Sequence, residues 1–317
     1  MENIQFIPDE DLHVVSVPFA ALSQTQNWGM ALAAIQNVWT VTKGEGIRVA
    51  ILDTGISDHT DLITAWKKDN AINCTSDPTW EDKGSGHGTH VAGIIASSDN
   101  DFGVVGVAPN CEIIPIKVLD SNGSGNYESI EKGLRNAINM NVDIINMSLG
   151  SSTTPPESLH DLIRQAVAQG IVIVAAAGND AHAVNYPARY DEVIAVAALD
   201  QNGCLATFTS KDETIDIVAP GVDIYSTHLN NEYCKMSGTS QASPFVAGIC
   251  ALIKSALKKQ NLLSEFGNQF CQADMMVALR NICSLEAAHI TPGEEKNWGP
   301  GVPKLANVDW QNILVKK

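Results

Sequence analysis

From about Gly46 onward the chain alternates short, nearly unbroken apolar runs with longer stretches whose apolar residues recur every three or four positions. The first pattern predicts buried strands and the second amphipathic helices. Strands are expected at 47–52 (ending at Asp53), 112–119, 142–146, 171–176 and 193–198, and helices at 87–97, 127–140, 156–169 and 240–258. Pro115 removes one ladder donor from the second strand and weakens that reading. Gly170 closes the third helix, and Pro244 falls in the first turn of the fourth, where a missing N–H does no harm. Such alternation predicts an α/β fold, a mostly parallel sheet with helices on both faces. Ligands then bind beyond the carboxyl ends of the strands, where Asp53 and Asn179 fall. Residues 1–22 lack this rhythm and read as an extension to one domain over 23–317; 299–303 read as a turn before a last helix.

Composition narrows the function. Hydrophobic residues at 44% and charged residues at 18% fit a globular protein rather than a disordered one. A formal net charge of −16 argues against nucleic acid, whose phosphates it would repel, and is compatible with cations, basic substrates or simply an acidic surface. The most apolar stretch, 171–177, is far too short to span a bilayer, so no membrane is expected. The first residues carry no basic region followed by an apolar segment, which points to the cytoplasm; a secreted protein that has lost its leader is the alternative. Seven widely spaced cysteines without a Cys-x-x-Cys pair fit reduced, packed thiols better than a disulfide framework.

Three phrases carry chemistry: Asp53-Thr54-Gly55 after a strand, His87-Gly88-Thr89-His90 opening a helix, and Gly238-Thr239-Ser240-Gln241-Ala242-Ser243-Pro244 opening the longest helix. A serine hydroxyl attacks only when a neighbouring base takes its proton. His87 can be that base for Ser240, and Asp53 can hold the imidazole in its tautomer. Free N–H groups at the start of the Ser240 helix suit an oxyanion, and Asn179, on a glycine turn after a strand, can supply a second donor. Each phrase alone has a plainer reading: Asp-Thr-Gly as a turn, Gly-Thr-Ser as a helix cap. His90 lies one turn from His87, but without a His-Glu-x-x-His motif it reads as a packed, hydrogen-bonded helix residue.

Together with Asn146-Met147-Ser148-Leu149-Gly150 and Ala177-Gly178-Asn179, these phrases place residues 23 to the end in clear resemblance to the subtilisin-like serine proteases, the subtilases. The resemblance implies a three-layer fold, an Asp53–His87–Ser240 triad and Asn179 as oxyanion donor. It also implies an extended polypeptide substrate bound between Gly123-Ser124-Gly125 and Ser148-Leu149-Gly150. Ala176 and Gly178 would line the primary pocket, with Asp180 and Asn185 at its rim, where an acidic group would favour a polar or basic side chain or merely face solvent. Tyr127 and Leu149 would wall a second apolar pocket. Calcium is the implied structural cofactor, with side-chain ligands Gln24, Asp61 and Asn100 and carbonyls of Ser98, Phe102 and Val104; the Asp53-to-Asp61 stretch is one residue shorter than the usual pattern, and an Asp/Asn-rich loop can be only a turn.

The chain is most similar to the intracellular subtilisins, whose short extension restrains the active site; Phe6-Ile7-Pro8 resembles that extension and implies a zymogen. Monomer and homodimer stay open. The implied activity is serine endopeptidase; a dedicated maturation protease and a catalytically silent regulatory homologue are the alternatives.

Overall fold

A computed structural model describes residues 3–5, 23–263, 270–286 and 288–315. A short strand β1 (Asn3–Gln5) precedes helices α1 (Trp28–Leu32) and α2 (Ile35–Trp39). There follow β2 (Arg48–Asp53), β3 (Ile72–Asn73), α3 (His87–Ala96), β4 (Glu112–Lys117), β5 (Ser124–Asn126) and α4 (Tyr127–Asn139). The chain continues through β6 (Ile144–Met147), α5 (Glu157–Ala168), β7 (Val172–Ala176), β8 (Ile194–Leu199) and β9 (Ile217–Pro220). A hairpin of β10 (Ile224–Thr227) and β11 (Tyr233–Met236) leads into α6 (Thr239–Lys259), and α7 (Gln272–Ile282), β12 (Cys283–Ser284) and β13 (Val302–Pro303) end it.

Seven strands form one parallel sheet in the order β3-β4-β2-β6-β7-β8-β9. Its two faces can be read off successive residues. Val49, Ile51, Val172, Val174, Ile194 and Val196 join the core beneath α3, α6 and α7. Their neighbours Ala50, Leu52, Ile173, Ala175, Ala195 and Ala197 join the core beneath α4 and α5. A period of two with both faces apolar is what a sheet covered on both sides requires. The three-layer α/β architecture is therefore as the apolar pattern predicts. Within it α6 is buried along nearly its whole length, and each large side chain such as Phe245 or Leu252 contributes roughly 1.5–3 kcal/mol by leaving water.

Pro115 is accommodated because β3 pairs only with Ile116 and Lys117, so β4 is an edge on that side at the proline. Among the described residues the last helix expected after 299–303 is absent. Val302 and Pro303 pair instead with β12, Asn307 takes a left-handed backbone at φ 59°, and Leu305 and Ile313 reach the core from turns. A left-handed residue cannot lie inside a right-handed helix, so none runs through Asn307. The sequence pattern did not suggest β9, the β10–β11 hairpin or α7. The seven cysteines form no disulfide, and among the described residues no helix is long and apolar enough to cross a membrane. The phrase Phe6-Ile7-Pro8, and the extension 1–22 apart from β1, lie outside the described residues.

Candidate active site

Asp53 ends β2, His87 begins α3 and Ser240 lies in the first turn of α6, two helices that pack against each other. Asp53 is wholly buried, and its Oδ1 accepts from Thr54 N at 2.7 Å and from His87 Nδ1 at 2.8 Å. An ionised carboxylate only accepts, so the contact fixes the proton on Nδ1 and turns Nε2 into the ring's basic nitrogen. Ser240 is bound reciprocally to Ser148: its Oγ donates to Ser148 O at 3.2 Å, while Ser148 Oγ donates to Ser240 O at 2.9 Å.

Asn179 follows β7 on the turn of Gly178 and is oriented by Thr239. The Thr239 N–H and O–H both donate to Asn179 Oδ1 at 2.9 Å. With its oxygen occupied, the amide presents Nδ2. A methyl group on Gly238 would lie 2.9 Å from Asn179 Nδ2 and 3.5 Å from Ser240 N. The missing side chain of Gly238 thus leaves a small space bordered by Asn179 Nδ2, Ser240 N and, nearest at 2.7 Å, Gln241 Oε1; its two nitrogen donors are the kind an oxyanion needs.

Several supporting residues were not singled out from the sequence. Buried Asp82 accepts from Thr54 Oγ1 at 3.0 Å and Gly86 N at 3.2 Å, so it ties the segment after Asp53 to the residue before His87. Burial pushes the Asp82 carboxyl upward in pKa. Lys117 Nζ, with no exposure, donates to Thr54 O at 2.6 Å and pairs with Asp77 at 3.2 Å. His90 is buried, its Nε2 lies 3.0 Å from Ile224 O, and burial pushes its pKa down to about 3. It is a packed, hydrogen-bonded histidine, and it stays neutral.

The residues assigned to substrate border the same edge. Ser124 and Gly125 lie in β5, with Gly123 just before it at φ 78°. Tyr127 opens α4 and donates to Thr153 O at 2.9 Å. Leu149 is buried, and the chain after Gly150 is bridged to the primary-pocket side through Ser151 and Tyr186. Ala176 ends β7; a methyl group on Gly178, at φ 123°, would lie 2.7 Å from Asn185 Nδ2 and 2.5 Å from Ser210 Oγ. Asn185 and Ser210 therefore put polar atoms beside Gly178. Asp180 is exposed and accepts from Ser210 Oγ.

The six residues assigned to a cation also converge. Gln24 Nε2 donates to Ser98 O at 2.8 Å, and Asn100 Nδ2 donates to Asp61 Oδ1 at 2.8 Å. Val104 N donates to Asp61 Oδ2 at 2.8 Å, and Phe102 N donates to Asn100 Oδ1 at 2.9 Å. Asp61 is wholly buried, faces only neutral donors, and is pushed up to about 6 by that burial. The site gathers oxygens of Asp61, Asn100 and Ser98, the ligand type a hard cation takes, and each of these oxygens here accepts an N–H that a bound cation would replace. Among the described residues no cluster of three or more His, Cys, Asp or Glu is present, so a zinc-type centre has no counterpart.

Comparison with known proteins agrees with this geometry. Residues 44–276 match the profile of the Subtilase family. The chain is 48% identical over 236 residues to a thermostable alkaline protease of Halalkalibacterium halodurans, covering 74% of this chain and 64% of that protein. It is 44% identical over 240 residues to subtilisin DY of Bacillus licheniformis, covering 74% of this chain and 86% of that one. It is 45% identical over 212 residues to subtilisin Savinase of Lederbergia lenta, covering 67% and 77%. The match thus spans slightly under two thirds of the first of these relatives and most of the other two. By this match and by the edge-of-sheet geometry of Asp53, His87, Asn179 and Ser240, the chain belongs to the subtilase family.

Proposed function

We propose that the chain is a serine endopeptidase that hydrolyses peptide bonds through an acyl-enzyme on Ser240. The observation that carries this reading is the buried 2.8 Å contact between Asp53 and His87 Nδ1, which leaves Nε2 as the ring's base. The relatives' names, alkaline protease and subtilisin, support it. Ser240 Oγ adds to the carbonyl carbon of the scissile bond while His87 takes its proton. The carbonyl oxygen, now negative, accepts from Asn179 Nδ2 and Ser240 N. The C–N bond then breaks as His87 returns the proton to the departing nitrogen. Water repeats the sequence: His87 takes its proton, the C–Oγ bond breaks, and Ser240 recovers its hydrogen. Asp53 keeps its charge throughout and stabilises the imidazolium.

Polypeptide substrate lies along β5 in this reading. Residues 3–5 pair with that strand antiparallel, Asn3 with Asn126, Ile4 with Gly125 and Gln5 with Ser124. This pairing supports a restraining role for the N-terminal extension, because a substrate strand and β1 compete for the same backbone groups. A calcium ion held by Gln24, Asp61, Ser98, Asn100, Phe102 and Val104 would neutralise the buried Asp61 and clip the segment before α1 to the loop after α3.

Four outcomes are expected. Ser240→Ala abolishes peptidase activity, and Asn179→Ala lowers kcat by about 10²–10³-fold, the magnitude known for the matching asparagine of subtilisin, with KM little changed. Turnover of a peptide anilide by Ser240→Ala at a rate near that of wild type would exclude the acyl-enzyme. Exhaustive chelation lowers the melting temperature of the Ser240→Ala protein by about 5 °C, as loss of a ligand present near 100 times its Kd predicts, and calcium restores it. An unchanged melting curve counts against the cation. A chain lacking residues 1–20 hydrolyses peptides faster than the full chain; equal rates remove the restraining role.

A further inference from the structure

The peptide plane between Ser85 and Gly86 stands immediately before His87, and it is gripped at both ends. Its N–H donates to Asp82 Oδ1 at 3.2 Å, and its C=O accepts from His228 Nε2 at 3.3 Å. A carbonyl oxygen only accepts, so this contact places the His228 proton on Nε2, the reverse of the tautomer that Asp53 imposes on His87. The His228 ring also occupies the place of a side chain at residue 86. A methyl group there would lie 2.2 Å from its Nε2, 2.5 Å from its Cδ2 and 3.0 Å from its Cε1. Gly86 caps α3 at φ 73°, and the His87 N–H reaches back to Ser85 Oγ at 3.2 Å. A glycine leaves such a junction more rotational freedom than any other residue. Bonds at opposite ends of one peptide plane remove that freedom, which a single bond does not. The His228 ring is itself held. It is 9% exposed, its backbone N–H donates to Glu232 O at 2.7 Å, and His59 Nε2 donates to the same carbonyl at 3.0 Å.

We propose that His228 is a positioning residue for the reaction at Ser240. Its Nε2–H, together with Asp82, locks the Ser85–Gly86 peptide and so sets the angle at which His87 meets the proton it must take. This inference rests on the acyl-enzyme at Ser240. The role asks for no contact between His228 and substrate. A base turned slightly out of line loses rate without losing substrate, because its alignment counts in the transition state and not in the bound ground state. His228 therefore acts on kcat and leaves KM in place. What the role requires is a donor at the position of Nε2 rather than a charge, since neutral and charged forms of the ring both carry that proton.

The test compares wild type with His228→Gln, whose amide nitrogen can stand where Nε2 stands, and with two replacements that fill the space without a donor, His228→Leu and His228→Phe. Each full-length protein is first titrated with a fluorophosphonate, so that only acylating sites are counted. Per titrated site, kcat on a peptide anilide falls about fivefold in the Leu and Phe variants, the worth of one ordinary hydrogen bond, with KM unchanged. The rate constant of fluorophosphonate inactivation falls in parallel, and His228→Gln recovers most of both. By NMR, the proton between His87 Nδ1 and Asp53 exchanges with water faster in the donorless variants than in wild type or His228→Gln. Equal losses in all three variants, a loss confined to KM, or wild-type kcat in either donorless variant would overturn the proposal. Absence of titratable sites in wild type would instead be a failure of the acyl-enzyme itself.

Discussion

The carboxylate of Asp53, buried without exposure at the end of a central strand, is the constraint around which the carboxyl edge of the sheet is arranged. A buried charge persists only when hydrogen bonds replace its water. Here Thr54 N and His87 Nδ1 do so, and both are held in turn: Gly88 N donates to Thr54 Oγ1 at 3.0 Å, and Thr54 Oγ1 donates to Asp82. Asp82 then reaches the N–H of Gly86 just before α3. The histidine is thus tied into a closed loop of bonds from β2 to α3 and back, and turning the imidazole would cost the buried carboxylate one of the two bonds on Oδ1.

The other half of the site uses the same device with neutral groups. Thr239 orients Asn179, and Ser148 exchanges bonds with Ser240, so the proposed nucleophile and oxyanion donor are set by residues just after β6 and β7 and at the start of α6. These strands are neighbours in the sheet, which gives the two halves a rigid frame. Donors held in place before substrate arrives need no reorganisation during the reaction, which is where such sites gain their rate.

What could be read from the sequence follows from this arrangement. Asp53, His87 and Ser240 are legible because acyl transfer demands those residue types, and strand ends and helix starts announce where they stand. The sheet is legible because runs such as 171–176 are apolar on both faces. Asp82, Lys117 and the role of Thr239 are not, since their partners lie 28, 63 and 60 residues away and no local pattern marks them. The turns after Pro303 mislead for a related reason: Leu305 and Ile313 have helical company in sequence but reach the core individually. The cation residues were legible only as a family resemblance, and their convergence on Asp61 is visible only in three dimensions.

The central claim is that Ser240 is an activated nucleophile. Its most direct test is exposure of the wild-type protein and Ser240→Ala to a serine-directed fluorophosphonate, followed by peptide mass mapping. The account predicts one covalent adduct, on Ser240, in wild type and none in the variant. No adduct on the wild type, even after removal of residues 1–20, or an adduct that persists in Ser240→Ala, would contradict it.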